Sequence, residues 1–97
     1  MQADMISVTA YCEKYHTAPD FIEALRQNGL LTITIIEAEP CIHFDDLHDL
    51  EMFSNWYYDM NINVEGIDAL MNMLERMRNL QQQVSTLQAR LSVYERH

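Results

Sequence analysis

Two cysteines and their neighbouring histidines are the residues most capable of chemistry. Cys12 and His16 are four apart, a spacing that can place both on one helix face, and Cys41 is followed two residues later by His43. Thiolate sulfur and imidazole nitrogen form tetrahedral zinc sites, so a Cys2His2 centre from these four is conceivable. Structural zinc sites pair their cysteines more tightly, and the first helix needs Cys12 for its apolar face. Buried thiols and exposed imidazoles are therefore expected, with no metal. A Cys-His nucleophilic pair would need a third orienting group and an oxyanion loop, and neither is recognisable. Asp45, Asp46 and Asp49 resemble a carboxylate cluster, but Asp45-Asp46 suits a helix N-terminus, where carboxylates accept free backbone N–H groups. Gly29 and Gly66 are the only glycines, so no Gly-rich phosphate loop exists. No catalytic residue, cofactor or small-molecule substrate is expected, and the protein is read as no enzyme.

The elements that must position these residues follow from period and punctuation. Ile6 begins a short strand. Ser7 or Thr9 can cap a helix to about Tyr15, with Val8, Tyr11 and Cys12 inward. Pro19 suits the first turn of a second helix, Thr17 can cap it, Phe21, Ile22 and Leu25 form its apolar face, and Asn28-Gly29 stops it. Two helices joined so tightly read as a helix-turn-helix. Leu31 to Glu37 reads as a strand, Ala38-Glu39-Pro40 as a turn and Cys41 to Phe44 as the return strand of a β-hairpin wing. Asp45 or Asp46 then caps a third helix to about Met60, with Leu47, Leu50, Phe53 and Tyr57 at helical spacing. Met52 and Trp56 fall on another face, either packed under the last helix or open to a partner. Asn63 can cap the last helix.

That last helix has two interleaved heptad series. Leu70, Met77, Val84 and Leu91 fill one seam position, and Met73, Leu80, Leu87 and Tyr94 fill the other. Such alternation is a coiled-coil signal. An uncovered stripe would be a large exposed apolar patch, so a homodimer through these eight residues is expected. The chain divides accordingly into a body, 1–62, and a dimerisation helix, 63–97.

Charge divides the chain at a later point, within the last helix, into residues 1–75 and 76–97. Of 97 residues, 15 are acidic and 6 are Lys or Arg, for a net charge of −9. Gln27 to Glu75 holds no Lys or Arg, whereas 76–97 holds four arginines against Glu95. An acidic body disfavours nucleic acid, whose binding requires cations to displace phosphate counterions. The acids could serve solubility, meet a basic protein partner or meet the basic tail within a dimer. Two cysteines do not make a disulfide scaffold, and no apolar run approaches a membrane span, so a cytoplasmic location without membrane contact is expected.

The order of elements resembles the MerR-like winged helix-turn-helix regulators. Ile6-Ser7-Val8, Pro19-Asp20-Phe21-Ile22, Asn28-Gly29-Leu30-Leu31 and Ile42-His43-Phe44-Asp45-Asp46-Leu47 carry the resemblance. It implies a mainly α fold with a small β-hairpin wing and a long C-terminal coiled-coil helix. Relatives that activate transcription usually have Arg where this chain has Glu23 and Ile42, Tyr at Leu25, and Gly at His16. A branch that does not bind DNA, the chaperone-modulator CbpM family, is also similar. That likeness rests on Asn63-Val64-Glu65-Gly66-Ile67, Leu70, Leu74 and Leu87-Gln88-Ala89-Arg90-Leu91. It implies binding and inhibition of the J-domain of a DnaJ-type co-chaperone, whose basic helix an acidic module could cover. The acids placed at that contact are Asp20, Glu23, Glu37, Glu39, Asp45, Asp46 and Asp49. The alternative is a dimeric transcription regulator that binds operator DNA.

Overall fold

The computed structural model describes residues 4–96. It is mainly helical, with a small antiparallel sheet and one long C-terminal helix, the architecture expected of a MerR-like winged helix. The chain opens with β1 (Met5–Ser7) and passes directly into α1 (Val8–Tyr15). Ser7 makes that junction possible: its Oγ accepts the Ala10 N–H at 3.1 Å and satisfies one of the first free donors. His16 ends α1 in the left-handed region, φ 56°.

Helix α2 (Pro19–Gln27) begins without the expected Thr17 cap. Ala18 holds the cap position, and Thr17 is buried with its Oγ1 unpartnered. The Ala18 N–H instead donates to Tyr58 Oη at 2.9 Å, a bond that ties the turn to a residue 40 positions away. Pro19 lowers the need for a cap, because its missing N–H is one that no helix could satisfy there. Gly29, at φ 73°, lets the Leu30 N–H reach Leu25 O at 2.9 Å and close the helix end.

The wing consists of β2 (Ile33–Ile36) and β3 (Glu39–His43), and the sheet order is β1-β3-β2. Its turn lies one residue earlier than expected. Ile36 pairs with Glu39, so Glu37 and Ala38 form a two-residue loop, both at positive φ (50° and 68°). Two left-handed residues are what the twist of a tight hairpin demands, so Pro40 is left free to stand in the strand.

The third helix is less uniform than its periodicity suggests. Phe44–Asp46 is a 3-10 turn, α3 covers Leu47–Ser54, and Asn55–Asp59 widens into a π-helical turn. Neither Asp45 nor Asp46 supplies a side-chain cap; His43 Nδ1 accepts the Asp45 N–H at 3.2 Å. Asn61, at φ 57°, and an Ile62 N–H to Trp56 O bond of 3.0 Å reverse the chain. Asn63 Oδ1 then accepts the Gly66 N–H at 2.9 Å and starts α4 (Val64–Glu95).

The core forms where these elements converge. Ile22 and Leu25 of α2, Ile42 of β3, Leu50 and Phe53 of α3, and Ile67 of α4 are fully buried. Each such side chain contributes about 1.5–3 kcal/mol through removal of apolar surface from water. Tyr57 stacks on Phe21 with centroids 4.4 Å apart, and Tyr58 meets the same ring edge-on at 5.4 Å. These contacts fix α2 against the π-helical turn, and hence fix the direction in which α2 presents its outer face.

Candidate protein-interaction surfaces

The outer face of α2 is acidic in its geometry as well as its composition. Asp20 and Glu23 are exposed. The one cation of the helix, Arg26, is occupied: its Nη2 lies 2.6 Å from Glu23 Oε2 and its Nε 2.9 Å from Glu23 Oε1. Gln27 Nε2 adds a bond of 3.2 Å to the same carboxylate. The hydrogen bonds from Arg26 hold the Glu23 carboxyl below its ordinary range, and Glu23 in turn pushes the Arg26 guanidinium up. Three residues on one exposed turn are thus held in a fixed, charge-cancelled array, and Asp20 remains uncompensated within the helix.

The other acids named from the sequence run along the wing and into α3. Glu37 is at the wing tip and Glu39 begins β3, both exposed. Asp45 is exposed beside His43, 3.4 Å from its Nδ1, and Asp46 is half-buried in the 3-10 turn. Asp49 is exposed in the first turn of α3.

The cysteine and histidine residues do not form one site. Cys12 and Cys41 are buried free thiols, whereas His16 is exposed beyond the end of α1 and His43 is engaged with Asp45. Among the described residues, no three His, Cys, Asp or Glu side chains are grouped to hold a metal ion. Burial also pushes the Tyr11 hydroxyl up, which keeps it protonated in the core beside Cys12.

Beyond the body, α4 carries its apolar series into solvent. Met73, Met77, Leu80, Val84, Leu87, Leu91 and Tyr94 are each more than half exposed, with Leu80 at 60% and Leu87 at 61%. Leu70 is half-buried where the helix leaves the body. The flank formed by Arg78, Gln81, Gln82, Ser85, Thr86 and Ala89 is the open side of a single helix and not a cavity. Met52 and Trp56 are half-buried against the core and, with His48, Glu51 and Asn55, line a shallow cleft of about 240 Å³ on α3.

The family described as MerR HTH family regulatory protein matches residues 6–89, from β1 into the distal half of α4. The chain belongs to the MerR HTH family. No curated protein and no solved structure gives a significant match. As a MerR-family chain it has its helix-turn-helix in α1 and α2 and its wing in β2 and β3. Two features of this MerR-family chain escape a reading of the sequence. Tyr58, which adds nothing to the heptad or core pattern, is the hydroxyl that anchors the turn between α1 and α2. Ile35 is 65% exposed at the far end of the wing, although the alternation of Leu31 to Glu37 puts it on the same face as Leu31 and Ile33. Its pairing with Pro40, set by the two-residue loop, is the signal that would have placed it past the end of the core.

Proposed function

We propose that the chain is a non-enzymatic regulator that binds the J-domain of a DnaJ-type co-chaperone and withholds the basic surface that its chaperone partner requires. The observation that carries this reading is the charge on α2. In a winged helix this helix faces the ligand, and here its one uncompensated charge is Asp20, while Arg26 and Glu23 cancel each other and leave no free cation on it. Phosphate contacts supply most of the affinity for DNA, and this face repels phosphate. The wing adds Glu37 and Glu39, again acidic. A basic protein helix meets the same face with attraction, which speeds association and selects the partner.

The exposed apolar stripe of α4 supports a homodimer as the working unit, with the seam from Leu70 to Tyr94 buried between two copies. Membership of a helix-turn-helix regulatory family favours the second reading, an operator-binding dimer. Titration of the intact chain against an isolated J-domain, alongside a gel-shift series on promoter DNA at physiological salt, distinguishes the two. Saturable J-domain binding without sequence-selective retardation is expected. Selective retardation of a promoter fragment, with no J-domain binding, would overturn the proposal in favour of the second reading.

A further inference from the structure

The wing presents an unpaired strand edge, whose geometry does not depend on the partner being a J-domain. Strand β2 pairs only with β3 among the described residues, so its other edge is free. The two-residue turn decides which groups that edge presents. Ile36 and Glu39 flank the turn and form a hydrogen-bonded pair, so Ile35 and Pro40 form a non-hydrogen-bonded pair, and the alternation continues to Thr34 with Cys41 and Ile33 with Ile42. Pro40 fits this pattern, since it has no N–H to contribute to β2. The backbone N–H and C=O groups of Ile33 and Ile35 therefore point away from β3, along the unpaired edge.

An exposed edge of β-branched residues is ordinarily blunted by lysine, proline or a bulge, because it recruits other strands. β2, Ile-Thr-Ile-Ile, carries no lysine, proline or bulge and is blunted only by its four-residue length. It ends at Ile36, with Glu37 next in the loop and Glu39 across the turn. Placing Glu37 and Ala38 in a loop that requires two positive φ angles, where Asn and Gly are the favoured residues, stores backbone strain. The sequence bears that strain and sets a carboxylate at the tip. Since Gln27 to Glu75 holds no Lys or Arg, nothing on this stretch neutralises it.

We propose that the free edge of β2 is a β-augmentation site for a short extended segment of a basic partner. The segment adds a strand beside Ile33–Ile36, places alternate apolar side chains on the face shared by Ile33 and Ile35, and brings Lys or Arg to the wing tip beside Glu37, with Glu39 one strand further away. Main-chain bonds hold the strand and the flanking charges select it. A second copy of the chain is a poor occupant, because its own wing carries the same two acids and like charges at close range oppose pairing.

A blocked heptapeptide of alternating Val and Thr with two terminal Lys, added to the full chain, tests the proposal by amide exchange and titration. Exchange at the Ile33 and Ile35 amides should slow by about tenfold at saturation, while Thr34 and Ile36, already bonded to β3, change little. The same peptide with Glu in place of Lys should not bind. Ile35→Pro removes an outward N–H and spares the β2–β3 ladder, so it should weaken the Lys peptide about fivefold, the worth of one hydrogen bond. Equal binding of the Glu peptide would overturn the charge selection, and unchanged exchange at Ile33 and Ile35 in the wild-type chain would overturn the site. The latter result beside intact J-domain binding would leave the proposed function standing.

Discussion

Glu23 and Arg26 show how a residue pair can set the character of a whole surface. The two side chains are about half exposed, so solvent screens the pair and its contribution to stability is small. Its effect is on charge: it removes the only cation of α2 from competition for an anionic ligand. Because the folded Glu23 carboxyl sits below its unfolded value, the pair acts above the unfolded pKa and is lost as pH falls through the folded one. Arg26→Gln should therefore move the Glu23 titration upward, towards that of an ordinary glutamate, as read by carboxyl carbon chemical shifts. An unchanged midpoint would mean that Arg26 does not hold the carboxylate in solution. At the wing, Glu37 and Glu39 are exposed, so reversing both to Lys should leave melting nearly unchanged. On the proposed function it should slow J-domain association several-fold at low salt and less at high salt, since the attraction is screened over about 8 Å at physiological ionic strength. Surface resonance kinetics that show no change in association rate would move the contact off the wing.

At the scale of elements, the start of α4 is the most tightly specified junction in the chain. Asn63 caps it, and a Cβ on Gly66 would come within 2.9 Å of Ile62 Cγ2 and 3.0 Å of Asn63 Oδ1. Ile62 is β-branched and half-buried, so it yields poorly. Gly66→Ala would ordinarily stabilise a helix by about 1 kcal/mol. Here it should destabilise by about that amount, because the methyl group displaces the cap; thermal unfolding that rises instead would show that the junction relaxes freely. The Asn63 cap, the Ser7 cap, the Gly29 stop and the core faces of α1 and α2 were legible because each follows from local chemistry. Thr17 does not cap α2, because Ala18 takes the cap position, and the Ala18 N–H is held by Tyr58, which no local pattern connects to it. The third helix ends where expected, at Met60, but it is not uniformly α: its last turn is π-helical, and Tyr57 and Tyr58 pack on Phe21 from that turn, a long-range contact that periodicity does not encode. The acids of the candidate surface were legible as residue types, and Asp20, Glu37, Glu39 and Asp49 keep no ion-pair partner among the described residues. The Glu23–Arg26 array and the outward edge of β2 depend on geometry that composition does not encode.

The whole molecule is elongated, 62 × 35 × 20 Å, with a Cα radius of gyration of 18.5 Å, where a compact domain of this size has about 13 Å. The excess is α4, whose 32 residues extend about 48 Å at 1.5 Å per residue. Its first turns belong to the body, where Val64 and Ile67 are buried, and the rest stands free with an unbroken apolar seam. In isolation such a helix has neither packing nor neighbours to sustain it, and marginal stability is the norm for unpacked helices. Pairing two seams removes that stripe from water and turns the second half of α4 into a structural element. Leu87 is central to the free portion, 61% exposed in the single chain, and its seam neighbours Val84 and Leu91 are also more than half exposed. Leu87→Asp would leave an unpaired carboxylate against an apolar partner, which costs about 3–5 kcal/mol when a buried charge lacks compensation. The body should be unaffected, since Leu87 touches none of the buried residues that form its core. Light scattering at micromolar concentration should therefore give a dimer for the wild-type chain and a monomer for the variant, with the same cooperative unfolding of the body detected through Trp56. A monomeric wild type would remove dimerisation from the proposed function, whereas a variant that remains dimeric would place the interface on a different face of α4.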